Sequence, residues 1–129
     1  MPKKALALVL DSTIPLYHIG LAVSVCPEAA RAFDAQMDIS ASCSGQVFVF
    51  EKAGTGSAYI GVVFESIEAI DAELIAHEAV HAAWRCLQWV GITVDVDNQE
   101  ALAYLVGWIA KEITTFVKPH QKAARRNKK

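Results

Sequence analysis

The 129-residue chain is long enough to build one core and too short for two full domains. Hydrophobic residues make up 53 % of it, which excludes a disordered chain, and a formal net charge of −2 excludes a general pull toward nucleic acid or anionic membrane. The charge is uneven: Lys118, Lys122, Arg125, Arg126, Lys128 and Lys129 crowd the end and leave the body acidic.

Residues 4–10 are apolar and predict a first strand, closed by a turn over Asp11, Ser12, Thr13 and Pro15. This run, led by Lys3 and Lys4, is too short for a signal segment or a bilayer span, so no membrane association is expected. Tyr17 to Val25 reads as a second strand. Pro27 and Glu28 then open a helix running to about Met37. Gln46–Glu51 and Ala58–Glu65 read as strands joined by a hairpin or loop at Ala53–Ser57, where Gly54 and Gly56 suit a turn better than a phosphate loop.

From Ser66, whose hydroxyl can cap a following helix, the period changes. Ile70, Leu74, His77, His81 and Trp84 fall on one stripe at three- and four-residue steps, which predicts a helix ending before Gly91 with both histidines on its apolar face. After a short extended stretch, residues 92–96, an acidic start at Asp97–Glu100 opens a last helix, predicted to run to about Phe116 and to be closed by Pro119. Strands and one helix followed by two long helices describe an α+β domain of residues 1–117 with a flexible basic tail, 118–129. The tail reads as a solvated terminus, the other reading being a weak contact with nucleic acid or an acidic partner. Three cysteines, Cys26, Cys43 and Cys86, show no paired spacing, and a reduced, cytoplasmic protein is expected.

The chemistry concentrates in His77-Glu78-Ala79-Val80-His81. Histidines four apart lie one helical turn apart on one face, where both imidazoles can reach a single zinc ion. Such an ion activates water, and Glu78, adjacent to the first ligand, can accept the water's proton and pass it to a leaving amine. Glu100 follows His81 by nineteen positions, on a helix that the turn at Gly91 would fold back antiparallel. Ala103 and Gly107 on its side of that helix would permit close packing. It is a candidate third ligand, or else an ordinary first-turn acid favoured by the helix dipole. Cys86 reads as a buried structural thiol, and the three tryptophans read as packing residues. His18 has no ligand spacing to anything else, and His120 is a remote candidate for a transition-state donor.

His77-Glu78-Ala79-Val80-His81 followed by Asn98-Gln99-Glu100-Ala101 resembles the glutamate-type, thermolysin-like zincin metallopeptidases, and the wording over 76–109 looks closest to small metallopeptidases encoded in phage genomes. The resemblance implies a minimal zincin-like domain, with a small mixed or antiparallel sheet packed on the active-site helix and a following ligand-bearing helix. It implies a zinc site of His77, His81 and Glu100, Glu78 as general base, and a peptide or protein substrate in the cytoplasm, the host's if phage-encoded. It also implies that Ala58–Glu65 is the edge strand along which a substrate pairs. The family's aspartate four residues after the third ligand is replaced here by Tyr104, which could orient His77 or donate to an oxyanion. The alternative is a non-catalytic phage accessory or interaction protein that retains a zinc site.

Overall fold

The computed structural model of the protein describes residues 5–127. Its elements follow in the order β1 (Val9–Ile14), β2 (Ile19–Ser24), α1 (Pro27–Phe33), β3 (Gly45–Glu51), β4 (Ala58–Phe64), α2 (Ala72–Trp89) and α3 (Glu100–Arg126). This is the expected α+β domain with a mixed sheet. The strand order is β1-β2-β4-β3, antiparallel at both outer pairs and parallel between β2 and β4. The strand expected at the edge, β4, is therefore central, and β3 holds that edge. The run Ile60–Phe64 is buried throughout, as a strand covered on both faces and paired on both sides requires.

Strand alternation sorts the side chains into two cores. Ile19, Leu21, Val23, Ile60, Val62 and Phe64 face α2 and α3, while Ala22, Phe50 and Val63 face α1 and Met37. Ser12 Oγ donates to Glu112 Oε1 at 3.3 Å, which sets α3 over β1, and α2 lies over β4 and β3.

Several boundaries differ from expectation, each for a local reason. The polar residues at 11–13 continue β1 instead of turning: the Asp11 carboxylate accepts a 2.8 Å bond from Tyr59 Oη, and Ser12 has its partner on α3. The reversal comes later, through Leu16 (φ 72°) and His18 (φ 55°). Helix α1 stops at Phe33 because Asp34 is extended, its carboxylate accepting from the backbone N–H groups of Ala53 and Gln36 at 2.8 and 2.9 Å. Those donors hold the Asp34 carboxyl below the usual carboxylate range. Ser66 caps only a short 3₁₀ turn, and Asp71 caps α2 by accepting from the Leu74 N–H at 2.8 Å. Gly91 (φ 79°) follows the end of α2, and the connection after it forms no strand but holds one isolated bridge, Asp95 to Asn98.

The largest correction concerns the end of the chain. Helix α3 does not close near Phe116 but runs through Pro119 to Arg126. Proline there removes one helical hydrogen bond, yet the buried series Leu105, Ile109, Ile113 and Val117 continues into His120. His120 Nε2 lies 2.8 Å from the Ala7 carbonyl oxygen, and Gln121 Nε2 donates to the Ile70 carbonyl at 3.0 Å. Residues 118–126 are thus part of the helix rather than a tail, and Lys128 and Lys129 lie outside the described residues. Among the described residues no helix is long and apolar enough to cross a membrane. Ending the chain after Val117 should therefore lower stability by at least about 2 kcal/mol, since it removes a buried ring and two tethering bonds.

Candidate metal centre and groove

Helix α2 buries Ile75, Glu78, Ala79, Ala82, Ala83, Cys86 and Leu87. The stripe expected to carry Ile70, Leu74, His77, His81 and Trp84 into the core holds only at its start: Ile70 is buried and Leu74 packs against the core, but His77, His81 and Trp84 are exposed. The alanines are the packing face, and the histidines stand at the rim. The His77 side chain is 63 % exposed, whereas that of Glu78 is only 5 % exposed. One residue advances 100° around a helix, and that step separates the open imidazole from the buried carboxylate.

The two imidazoles converge. His77 Nε2 and His81 Nε2 lie 3.2 Å apart, with the rings edge to face. Two nitrogens each about 2.05 Å from one tetrahedral zinc stand about 3.3 Å apart, so the pair already spans a zinc coordination edge. Glu78 Oε1 is 3.9 Å from His77 Nε2, beneath the pair. Burial pushes the Glu78 carboxyl up, while His77 and His81 oppose that shift.

Edge strand β3 lines the other side. Two adjoining shallow hollows of about 390 and 260 Å³ run between β3 and α2, sharing Gly45, His77 and Glu78. A Cβ built on Gly45 would sit 3.0 Å from Glu78 Cγ, so this position lets the strand approach the carboxylate closely. The Ser44 carbonyl accepts from the Glu65 N–H and the Lys52 N–H donates to the Ser57 carbonyl, both across to the β4 side. Antiparallel alternation then turns the N–H and C=O groups of Gly45, Val47 and Val49 outward on the free edge.

The other expected members are elsewhere. Glu100 is the first residue of α3, exposed at the end where the chain reverses from α2. From His81 to the end of α2 is about 12 Å of helix, and α3 flanks α2 on the side away from β3. Tyr104 is 53 % exposed and makes no hydrogen bond among the described residues. Ala103 and Gly107 are exposed too, with open space beside Gly107, so they do not form the expected close helix contact. Among the described residues no three His, Cys, Asp or Glu side chains are gathered to hold a metal. His120 is committed to the Ala7 carbonyl, away from the groove. Cys86 is buried and its thiol is pushed up to about 11 by that burial, which makes it an inert packing group.

Sequence reasoning missed Gly45 and Arg85, both of which line the groove. Arg85 continues the four-residue spacing of His77 and His81 and was open to detection. Nothing local marks Gly45. Compared with known protein families, curated proteins and solved structures, the chain gives no match.

The buried carboxylate has a measurable consequence in metal-free protein. An acid whose folded pKa is raised binds more protons when folded, so stability falls as pH rises from the unfolded value, about 4.3, through the folded one. Glu78→Gln should accordingly raise the unfolding midpoint at pH 7, with the gain vanishing near pH 4. An equal midpoint at both pH values would show that the carboxylate carries no burial cost.

Proposed function

We propose that the protein is a zinc-dependent metallopeptidase whose α2 histidines hold the ion and whose Glu78 is the general base. The observation that carries the reading is the 3.2 Å approach of His77 Nε2 to His81 Nε2 beside a carboxylate that opens into a groove. A bound zinc ion would supply Lewis acidity for a carbonyl and lower the pKa of water. The chain's own residues do the rest. Glu78 accepts a proton from water in the groove and returns it to the departing amine. The outward N–H and C=O groups of Gly45 and Val47 hold an extended peptide by strand addition, the role the resemblance assigned to β4.

Two of the three ligands implied by the resemblance stand together. Glu100 completes the set only through movement of the 90–99 connection and the first turn of α3, and Tyr104 would reach the site by the same movement. A second reading draws on that separation: a peptide-binding protein that uses the β3 edge without hydrolysis, as an accessory or interaction protein would.

Zinc-loaded wild type should cleave members of a broad peptide library, and Glu78→Gln should lower the rate by at least about a hundredfold with its zinc retained. Cleavage at an equal rate by the variant would remove Glu78 from the chemistry, and no cleavage by wild type would favour the binding reading. Glu100→Gln tests the third ligand separately. Weaker zinc retention is expected, together with a smaller rise in melting temperature on adding zinc.

A further inference from the structure

The groove is electrically polar along its length. The hollow nearer the start of α2 is lined by Asp71 and Glu73 together with Cys43, Ser44 and Gly45. The adjoining hollow is lined by Arg85 together with Gly45, Gln46 and Val47. Among the described residues, the other charged or titratable groups lining the two are His77, Glu78 and His81 between the ends, with the Cys43 thiol at the acidic end. Neither Arg85 nor Glu73 makes an ion pair or side-chain hydrogen bond among the described residues. Both are exposed, so their charges are free for a ligand. Glu78 supplies an independent sign of one: its side chain is 5 % exposed, its one charged neighbour among the described residues is His77 Nε2 at 3.9 Å, beyond hydrogen-bond reach, and it lines both hollows.

We infer that Arg85 sets the charge preference of this groove, which takes an extended peptide with an acidic residue toward its amino end and a basic residue toward its carboxyl end. The inference deepens the peptidase reading and rests on it for the claim that the bound peptide is a substrate. Its direction follows from β3. The strand passes Gly45 beside both hollows and reaches Val47 beside Arg85, so it runs from the acidic end to the basic end. A peptide pairing antiparallel with β3, the slightly more stable arrangement per residue, enters with its amino end at Arg85 and leaves past Asp71 and Glu73. The spacing follows from α2. Glu73 and Arg85 are twelve residues apart, about 18 Å of helix, which an extended peptide spans in about five residues. The acid of the peptide accepts hydrogen bonds from the Arg85 guanidinium, and its base donates to the carboxylates of Asp71 and Glu73.

The test uses two fluorescent peptides of equal composition added at low salt to the full-length, zinc-loaded Glu78→Gln protein, which binds without turning the peptides over. Hydrolysis is scored separately on wild type. One carries two acidic residues, four uncharged residues and two lysines in that order from its amino end, and the other carries the reverse order. The first should bind about tenfold more tightly by fluorescence anisotropy, and the ratio should shrink as salt is raised. Arg85→Lys should keep the preference and Arg85→Glu should abolish or invert it, with circular dichroism confirming that both variants fold. Equal binding of the two peptides, tighter binding of the reversed one, or an unchanged ratio in Arg85→Glu would overturn the inference. Because binding is read without cleavage, the peptidase reading is scored apart. A preference that depends on Arg85, without hydrolysis of either peptide, would uphold the groove's specificity and sink the enzyme.

Discussion

The site depends on how closely α2 lies against the sheet. Ala79, Ala82 and Ala83 form a fully buried seam of small side chains on the helix, between Ile75 and Leu87. That seam decides the orientation of everything else on α2. With the alanines inward, Glu78 is turned into the narrow space beside β3, and His77 and His81 are left at the surface with their nitrogens meeting. Gly45 completes the constraint, because any side chain there would press on the Glu78 methylene. Burial works against the charged form of Glu78, His77 and His81 oppose that only in part, and the rest of the core must offset the remainder. Such a cost is common where a group is held for chemistry rather than for packing.

The surrounding layers make that cost supportable. The second core, beneath α1, contributes nothing to the groove directly, yet it stiffens the hairpin that carries β3. Phe50 stacks on Tyr59 with ring centroids 5.6 Å apart, and Tyr59 reaches across β2 to Asp11 on β1. Burial and that carboxylate together push the Tyr59 hydroxyl up to about 12, so it stays a hydrogen-bond donor through the whole working pH range. An edge strand braced on one face by aromatic packing keeps its outward backbone groups in a fixed row. That is what strand addition by a peptide requires.

Much of this was legible in the residues, and the failures have a common origin. The hairpin of β3 and β4, the helical period of α2 and its end before Gly91 follow from alternation, period and turn chemistry, all of which act between near neighbours, whereas the start of α2 at Asp71 rather than Ser66 does not. Which strand is the edge does not follow, because it depends on the parallel pairing of β4 with β2 across the intervening α1. The direction in which His77 faces was misread because Leu74 and Trp84 suggested one apolar stripe, while Ile75, Ala79, Ala83 and Cys86 formed another with more small residues. Periodicity locates a helix more readily than it chooses between two stripes set about 100° or more apart. The course of α3 past Pro119 was hidden for a similar reason. Proline and the basic residues favour a stop locally, and the contacts of His120 and Gln121 with Ala7 and Ile70 that override it lie far away in sequence.

The central claim is that His77 and His81 together bind one zinc ion. X-ray absorption at the zinc edge, on full-length protein equilibrated with one equivalent of zinc, reads the ligand shell directly. The account predicts two imidazole nitrogens at about 2.0–2.1 Å within a coordination number of four or five. A shell of six oxygen ligands at one equivalent, or an imidazole signal that survives in the double variant His77→Ala, His81→Ala, would contradict it.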